Sequence, residues 1–488
     1  MSQRGGAAIM VCGTTSGAGK SFLATALARW YSRRGLKVAP FKAQNMSNNA
    51  RVAAGGEIGS AQYFQALAAG CVPEVRMNPV LLKPETDTRS QVILLGERNE
   101  LLSAMEWRER SAQLWPVVRA SLTALLAEYE LVIIEGAGSP AEINLQSSDV
   151  VNMRVAEEAA ASVLVVCDID RGGAFAHLYG TYLLLPQPQR HLVRGFVLNR
   201  FRGDPRLLAP GPEMLQQLTG VPTLGVLPLW RGHGLPEEDG VFDAEPYGED
   251  FTISILACPR ISNLDEFTPL RRVPGISVQW ARSAQSIAEA DLLVLPGSKH
   301  VAHDLAWLRE RRLDQPIGEH IRAGKPTLAV CGGLQMLGES ILDPHGVEGE
   351  AQGLALLPYT TVLESRKRYQ HGRYVFDSLT GYWGPLSGLA FQGYEIRHGA
   401  TRPLRASAGA LAPLAQALPQ ETGWQHGPVL ALYTHGLFEN AAVLRALFGA
   451  HTPTLEDTFD GLAEFVGSRL GARTLDALAS SRPAQDRV

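Results

Sequence analysis

The order of apolar runs along the chain is the feature that most constrains its fold. In the first half, six short apolar runs are separated by segments with the periodicity of amphipathic helices. These runs lie at residues 7–11, 37–41, 131–134, 162–167, 194–198 and 223–227. Apolar runs of this length that alternate with helices predict a parallel sheet with helices packed against it. We therefore expect an α/β domain in the first half.

A segment rich in glycine, proline and acidic residues, RGHGLPEEDG at 231–240, interrupts this pattern and predicts a linker at 237–250. Further apolar runs follow at 251–257, 291–295, 327–330 and 429–433, with strand-rich sequence over 353–394. The predicted fold class is α/β with two domains, at 1–236 and 251–450. Helical spacing over 455–470 and polar residues over 480–488 predict a C-terminal helix and a frayed tail within 451–488.

Charge and composition exclude several classes of protein. The 488 residues carry a net charge of -4, whereas nucleic-acid binding requires a basic domain. No apolar run reaches the roughly 18 residues of a membrane-spanning helix, so we expect a cytoplasmic protein without a membrane partner. Five scattered cysteines without a C-x-x-C pair argue against a disulfide framework or a structural zinc site. Small molecules are the expected partners, and an oligomer is possible.

A glycine-rich loop, GTTSGAGKS at 13–21, lies between the first predicted strand and a predicted helix at 22–32. In such a loop, backbone amides bind phosphates, the lysine neutralises a phosphoryl group and the serine hydroxyl ligates magnesium. A simple glycine-rich turn is the alternative, but the order of strand, loop and helix favours ATP binding. The residues predicted to bind the phosphates are Thr14, Gly17, Gly19, Lys20 and Ser21.

An acidic residue at the end of a neighbouring strand is expected to complete a magnesium site. Glu135 ends the run at 131–134 and is followed by glycines. Magnesium prefers oxygen ligands and keeps several waters, so Ser21, Glu135 and the nucleotide suffice to hold it. An ordinary solvated carboxylate is the alternative for Glu135. Asp168 and Asp170 end another strand and could face metal or substrate, or have only a structural role.

The sequence TLAVCGGLQ at 327–335 predicts a strand that turns sharply into a helix at Cys331. A thiol at a helix N-terminus beside a histidine becomes a nucleophile, and His435, which follows another apolar run, is the best candidate for that histidine. Attack on the side-chain amide of glutamine also requires an oxyanion hole, which we assign to backbone amides at Gly297 and Leu334. A buried, unreactive cysteine is the alternative when Cys331 is considered alone.

These residues resemble those of class I glutamine amidotransferases, whose turn reads G-x-C-x-G-x-Q. The chain has Ala329 in place of the first glycine but keeps the cysteine, the second glycine and the glutamine. Leu437 stands where that family usually has the acid of the triad, two residues after the histidine. By position, Glu439 is a weak substitute. The glycine loop, with its G-x-x-x-G-x-G-K-[ST] spacing, is similar to that of dethiobiotin synthetase and its relatives.

Nearly the whole chain, from residue 9 to about 447, resembles the cobyric acid synthase family, in which a Cys/His pair without that acid is expected. The motifs that carry this resemblance are KAQNMSNN (42–49), GEIGSAQ (56–62), NPVLLKP (78–84), EGAGSPAEIN (135–144), PRISN (259–263) and GYEI (393–396). The resemblance implies that ATP and magnesium activate carboxylates of a corrinoid as acyl phosphates, which ammonia from glutamine then attacks. It also implies amidation of adenosylcobyrinic acid a,c-diamide at its b, d, e and g carboxylates. Gln44, Asn45 and Asp168 are candidates for binding the corrinoid.

Three alternatives remain open from the sequence. Cobyrinic acid a,c-diamide synthase performs the same chemistry on other carboxylates. A cell-wall amidotransferase acts on a lipid-linked precursor. A partner-binding ATPase with an inert second domain belongs to a different class of protein. Because the two predicted domains are fused in one chain, we also expect a protected passage for ammonia between them.

Overall fold

A computed structural model describes residues 6–85, 89–236, 250–404, 414–450 and 452–480. In the first half, the strands are β1 (Ala7–Gly13), β2 (Val38–Phe41), β3 (Gln44–Met46), β4 (Ala50–Ala53), β5 (Gly56–Gly59), β6 (Val80–Pro84), β7 (Ser90–Leu94), β8 (Glu97–Arg98), β9 (Leu131–Glu135), β10 (Ser162–Asp168), β11 (Val193–Phe201) and β12 (Thr223–Pro228). The helices of this half are α1 (Lys20–Ser32), α2 (Ser60–Ala69), α3 (Glu100–Ala104), α4 (Trp107–Glu128), α5 (Met153–Glu158), α6 (Ala174–Leu184), α7 (Gln187–Arg190) and α8 (Gly211–Thr219), with short 3₁₀ turns at Val75–Met77, Gln146–Ser148 and Pro205–Leu207.

Six of these strands form a parallel sheet in the order β12-β11-β10-β1-β9-β2. β9 and β10 are buried along their whole length, as expected of inner strands with helices on both faces. From β1, the chain builds β9 and β2 on one side of the sheet and β10, β11 and β12 on the other. At such a change of direction the connecting loops diverge, so a crevice opens at the carboxyl ends of β9, β1 and β10. A smaller sheet, β3-β6-β7-β8, and the hairpin of β4 and β5 extend this half towards the second half of the chain.

In the second half, the strands are β13 (Phe251–Leu256), β14 (Ile261–Ser262), β15 (Ile276–Ala281), β16 (Leu292–Leu295), β17 (Gly297–Ser298), β18 (Thr327–Val330), β19 (Ser340–Leu342), β20 (Ala351–Gln352), β21 (Tyr359–Val375), β22 (Ala390–Pro403), β23 (Ala415–Leu418), β24 (Gly423–His426) and β25 (Val429–Leu432). The helices are α9 (Ala284–Ala288), α10 (Val301–Glu310), α11 (Asp314–Arg322), α12 (Gly332–Leu337), α13 (Ala441–Phe448), α14 (Leu455–Leu470) and α15 (Ala472–Ser480), with 3₁₀ segments at Leu264–Arg272, Gly381–Leu386 and Leu437–Glu439.

The central sheet of the second half has the order β15-β13-β16-β18-β25-β24-β23. Its first five strands are parallel, β24 is antiparallel to them, and β23 pairs antiparallel with β24. β16, β18 and β25 are neighbours and are wholly buried. Their carboxyl ends therefore lie side by side at one edge of the sheet, where residues that follow different strands can meet.

The C-terminal helices return to the first half of the molecule. A capping box of Thr454 and Asp457 starts α14, whose apolar face joins the core around α1. The Tyr31 hydroxyl donates a 2.7 Å hydrogen bond to the carbonyl oxygen of Leu475 in α15. Arg29 of α1 forms a 2.6 Å ion pair with Asp460 of α14. The end of the chain thus covers the nucleotide-loop helix rather than the second sheet.

The predicted two-domain α/β fold is confirmed. All six predicted strands of the first half are present, and so are the four predicted parallel strands of the second. β15 was not predicted, because its sequence ISVQWA mixes polar and apolar residues at the sheet edge. The predicted linker, apart from residue 250, and most of the predicted frayed tail lie outside the described residues, so those boundaries stay predictions. Among the residues that the structure describes, no helix has the length and apolar character needed to cross a membrane.

Candidate active sites

The glycine loop lies at the carboxyl end of β1 and turns directly into α1. Gly17 and Gly19 have φ angles of 70° and 102°, a region of backbone conformation that favours glycine. Lys20 Nζ donates to the carbonyl oxygens of Thr15 at 3.1 Å and Gly138 at 3.4 Å. The lysine therefore lies across the mouth of the loop, where the phosphates of a nucleotide would be held.

Glu135, at the end of β9, is the buried carboxylate beside this loop. Its Oε1 accepts hydrogen bonds from the Ser21 hydroxyl at 3.0 Å and from Lys42 Nζ at 2.8 Å. Its Oε2 accepts one from Gln65 Nε2 at 2.5 Å. Burial alone would raise the pKa of Glu135, but Lys42, Lys20 and the bond from Gln65 lower it. The carboxylate is therefore held in its charged form, next to a serine hydroxyl.

This donor set fits a magnesium ion that is completed by nucleotide and water. The Ser21 and Glu135 side chains supply oxygen atoms 3.0 Å apart. No group of three or more His, Cys, Asp or Glu side chains suited to a metal occurs among the described residues. A metal held by the protein alone would need such a group, whereas magnesium bound with a nucleotide does not.

Asp168 ends β10, on the other side of β1 from Glu135. Its Oδ2 pairs with Arg200 at 3.0 Å, and its Oδ1 accepts a 3.0 Å bond from the Asp170 amide. Asp170 itself pairs with Arg202. Both acids are thus paired with arginines, and the binding role of Asp168 stays a prediction.

The other two candidates for corrinoid binding lie on the opposite flank of the sheet. Gln44 and Asn45 belong to β3, which follows β2 at the sheet edge. Three strand spacings, about 14 Å, separate β2 from the strand of Asp168. Asn45 Nδ2 donates to Gln62 Oε1 at 3.3 Å, whereas Gln44 Oε1 is buried and has no hydrogen-bond partner among the described residues. These candidates therefore flank the glycine loop from two sides instead of forming one cluster.

Cys331 lies at the sharp turn between β18 and α12. Its φ and ψ angles of 49° and -102° are unusual for a residue with a side chain and mark a strained backbone. His435 follows β25, the neighbouring strand, and lines the same cleft as the thiol, whose sulfur lies 3.9 Å from the carbonyl oxygen of Ile396. Cys331 and His435 are 6% and 1% exposed, so both side chains are shielded from bulk water.

Glu266 supplies the carboxylate that the sequence did not identify. His435 Nδ1 bonds Glu266 Oε1 at 2.8 Å, and the Gly436 amide donates to Glu266 Oε2 at the same distance. Burial lowers the pKa of His435, but Glu266 and Cys331 outweigh it and raise that pKa to about 10. A protonated imidazole beside a nucleophile can act as the acid that protonates a leaving nitrogen.

Glu439, suggested by its position after the histidine, is a wrong choice for the orienting acid. Its Oε2 accepts a 2.9 Å hydrogen bond from Arg51 Nη1, whereas His435 Nδ1 bonds Glu266. Glu266 lies in the 3₁₀ segment Leu264–Arg272, 169 residues before the histidine. No spacing rule links the two residues, although Glu266 lies only three positions beyond the PRISN motif.

The predicted oxyanion-hole residues belong to two segments near the thiol site, β17 and the start of α12. Gly297 follows β16, and a β-carbon there would lie 2.9 Å from His435 Cε1. Leu334 lies in the first turn of α12, where the first helical hydrogen bond runs from Gln335 N to Cys331 O. The amides before Gln335 therefore have no partner within the helix. Gly332, directly after the thiol, also lies close to the Ser298 amide. The oxyanion roles of Gly297 and Leu334 stay predictions.

A cleft of about 520 Å³ opens above the thiol between the two halves of the molecule. Asn48 and Lys83 come from the first half, and the remaining lining residues are Ser262, Asn263, Ser298, Lys299, Cys331, Gln335, Glu348, Leu363, Lys367, Ile396, Arg397, His398, Gly399 and His435. The first domain therefore closes one side of the thiol site.

Comparison with known proteins agrees with this geometry in both halves. Residues 9–231 match the family model described as the CobQ/CobB/MinD/ParA nucleotide binding domain. Residues 252–443 match the CobB/CobQ-like glutamine amidotransferase domain. Cobyric acid synthase of Methylibium petroleiphilum is 59% identical over 98% of both chains. That of Variovorax paradoxus is 59% identical over 96% of this chain and 98% of its own length.

The chain belongs to the cobyric acid synthase family. Membership in this family confirms the predicted resemblance. It also confirms the interpretation of the chain as an amidotransferase with a nucleotide-binding domain. The cobyric acid synthase resemblance was carried by motifs in both halves, and the relatives match over both halves as well.

Proposed function

We propose that this chain amidates the b, d, e and g carboxylates of adenosylcobyrinic acid a,c-diamide, with ATP as the activating nucleotide and glutamine as the nitrogen donor. The product is adenosylcobyric acid. The observation that carries the proposal is the Cys331–His435–Glu266 arrangement in the same chain as the loop around Lys20. Full-length similarity to proteins named cobyric acid synthase supports the choice of substrate.

The thiol site performs glutamine hydrolysis. The Cys331 thiolate attacks the side-chain amide carbon, and His435 gives its proton to the departing nitrogen, so that ammonia leaves and a γ-glutamyl thioester remains. Water then attacks the thioester, His435 takes up a proton from that water, and glutamate leaves as the thiolate returns. Glu266 keeps the imidazole oriented through Nδ1 and stabilises its charged form.

Two charged side chains of the cleft suit the head group of glutamine. Lys299 and Glu348 line the cleft and are half-buried, and desolvation lowers the pKa of Lys299 and raises that of Glu348. Glutamine carries a carboxylate and an ammonium on the same carbon. We assign the carboxylate of glutamine to the positively charged Lys299 and its ammonium to the negatively charged Glu348, because each pair joins opposite charges.

The loop site activates the corrinoid carboxylate. Lys20 and the loop amides hold the phosphates of ATP, and Ser21 and Glu135 would hold magnesium. Magnesium, when bound, neutralises charge on the phosphate oxygens. Activation is required because a free carboxylate is a poor acyl donor, whereas an acyl phosphate has a good leaving group. Gln44, Asn45 and Asp168 are proposed to contact the corrinoid around this loop.

Ammonia passes between the sites through polar surroundings at the domain junction. Asn48 lines the thiol cleft, and Gln65 bonds Glu135 in the nucleotide site. In the segments around these residues, several buried side-chain atoms have no hydrogen-bond partner among the described residues: Asn48 Oδ1, Gln44 Oε1, Ser60 Oγ, Gln62 Nε2 and Gln65 Oε1. Orphaned polar atoms of this kind can bind small polar molecules such as ammonia or water. We propose that the passage runs along them.

Product masses test the proposed function most completely. The chain is incubated with the a,c-diamide corrinoid, glutamine, ATP and magnesium, and the masses of the products are followed with time. We expect four successive additions of one amide nitrogen each. Additions at the a and c carboxylates of cobyrinic acid, with no change to the a,c-diamide, would replace this function with that of a diamide synthase.

A further inference from the structure

A buried arginine of the nucleotide-binding domain reaches the thiol site of the other domain. Arg51, in β4, is 2% exposed. Its Nη1 donates to Glu439 Oε2 at 2.9 Å, and its Nη2 donates to Asp265 Oδ2. Asp265 directly precedes Glu266, and Glu439 lies four residues after His435. One guanidinium thus joins both segments that carry the groups of the thiol site.

The same guanidinium packs against the ring that covers the imidazole. Arg51 Cζ lies 4.7 Å from the centre of the Tyr394 ring, a cation–π distance. Tyr394 in turn stacks on His435, with ring centres 5.2 Å apart and planes 19° from parallel. The two residues also exchange backbone hydrogen bonds of 2.8 Å and 3.3 Å. Arg51, Tyr394 and His435 therefore form one continuous stack.

Charge gives Arg51 a second effect on this cluster. Burial raises the pKa of Glu439, Arg51 lowers it, and Asp265 and Glu266 raise it again. Without the arginine, the buried carboxylates would compete for the imidazole or take up protons. The hydrogen bond between Glu266 and His435 Nδ1 would then have competitors. The arginine therefore keeps neighbouring acids from disturbing the bond between Glu266 and His435.

We infer that Arg51 is a positioning residue for glutamine hydrolysis, which holds His435 in line with Cys331 through Tyr394 and the Asp265–Glu266 segment. The inference rests on the proposed function, because it presumes that Cys331 and His435 cleave glutamine. Arg51 does not line the cleft, so it acts through other residues. The thiol site is accordingly complete only when the nucleotide-binding domain is docked against it.

The helix that packs against Arg51 also borders the nucleotide site. In α2, Phe64 packs 4.9 Å from the guanidinium, and the next residue, Gln65, donates to Glu135. Adjacent residues of one helix therefore contact the positioning arginine and the nucleotide-site carboxylate. Arg51 therefore contacts the thiol-site segments directly and lies one helix residue away from the nucleotide-site carboxylate's partner.

Two Arg51 variants test this inference in the full chain. Arg51→Met removes both the positive charge and the two-pronged hydrogen bonding of the guanidinium, whereas Arg51→Lys keeps only the charge. We expect Arg51→Met to lower kcat for glutamine hydrolysis at least tenfold and Arg51→Lys to fall between it and the wild type. The KM for glutamine should stay within twofold, because Lys299 and Glu348 are unchanged. Amide synthesis from added ammonium should also stay within twofold.

A matched control separates positioning from general loss of stability. Arg29→Met breaks the ion pairs of 2.6 Å and 2.7 Å that join α1 to α14, far along the chain from the thiol. This variant should keep kcat for glutamine hydrolysis within twofold. If it lowers kcat as much as Arg51→Met does, the effect of Arg51 is a general loss of stability and the inference fails.

A double-mutant cycle with Glu266→Gln gives the sharpest readout. If Arg51 acts through the bond between Glu266 and His435, the double variant should be little slower than Glu266→Gln alone. If the fold losses of kcat in the two single variants multiply in the double variant, the inference is overturned. It is also overturned if Arg51→Met loses ammonium-dependent synthesis in parallel, or if kcat is unchanged in both Arg51→Lys and Arg51→Met. Should Arg51→Met fail to fold, Arg51→Lys carries the same comparison. Failure of the wild-type chain to cleave glutamine would instead overturn the proposed function.

Discussion

The two buried glutamates, Glu135 in the nucleotide site and Glu266 in the thiol site, are neutralised in different ways. Glu135 accepts hydrogen bonds from Ser21, Lys42 and Gln65, all within its own domain. Glu266 faces one imidazole and one backbone amide, while its acidic neighbour Asp265 obtains its counter-ion from the other domain. The nucleotide site is therefore self-contained, whereas the thiol site depends on contact between the domains.

Removing the nucleophile tests whether the thiol site and the nucleotide site work separately. Cys331→Ala should lower glutamine hydrolysis by about 10⁴-fold or more, since no other group can form the thioester. Synthesis from added ammonium should persist, because the nucleotide site needs no residue of the thiol pair. Both rates are measured on the same preparation. Cys258→Ala, which changes a buried thiol in the same domain, is the control and should hydrolyse glutamine normally.

Removing the orienting carboxylate should have the next largest effect. Glu266→Gln should lower kcat for glutamine hydrolysis by about 10²- to 10⁴-fold, as expected when an imidazole loses its acid partner. Glu439→Gln should lower it less, because that side chain bonds Arg51 rather than the imidazole. Equal losses in the two variants would contradict the assignment of Glu266.

The same variant changes how stability depends on pH. In the wild type, the pKa of His435 is raised to about 10, so the protonated imidazole stabilises the folded chain fully below its ordinary pKa of about 6.5. That contribution is lost as the pH rises through about 10. In Glu266→Gln, burial should lower the pKa of His435. The free energy of unfolding of the variant should therefore fall furthest below that of the wild type at and below about pH 6.5, and the gap should narrow as the pH rises and close above about pH 10.

A variant in the nucleotide site should produce the opposite pattern. Lys20→Ala should lower ammonium-dependent amide synthesis by about 10²- to 10³-fold, the usual loss when one stabilising donor is removed. Glutamine hydrolysis should change by no more than a few fold. A loss of hydrolysis as large as the loss of synthesis would show that the two sites are not separable as described.

The smallest expected effect concerns binding of the glutamine head group. Lys299→Met should raise the KM for glutamine by about tenfold and leave kcat unchanged, since it removes one charge contact equally from the ground and transition states. Steady-state hydrolysis measures both constants. A fall in kcat at constant KM would place Lys299 in the chemical step instead.

The difference between the two sites also explains what could be predicted from the sequence. The loop around Lys20 and the turn at Cys331 are local, because a strand, glycines and a helix follow one another in a few residues. Glu135 could be predicted because it ends a strand beside the loop. His435 could be predicted because parallel strands bring their carboxyl ends to one edge.

Glu266 and Arg51 could not be predicted in the same way. Glu266 lies in an irregular 3₁₀ segment, with neither an apolar period nor a motif offset to connect it with His435. Arg51 lies in a short hairpin of the other domain, and charged residues in such hairpins are usually exposed. The bond between Glu266 and His435 follows from packing within the second domain, and the contacts of Arg51 follow from docking between the domains. Local sequence patterns encode neither. The packing of α14 on the first domain was missed for the same reason.

The path of nitrogen tests the central claim most directly. Glutamine labelled with ¹⁵N in its side-chain amide is supplied with ATP, magnesium and the corrinoid, in the presence of excess unlabelled ammonium at a pH where little of it is free ammonia. The account predicts that the new amides of the wild-type product carry mostly ¹⁵N, and that Cys331→Ala yields only unlabelled amides. Unlabelled product from the wild type, or labelled product from Cys331→Ala, would contradict it.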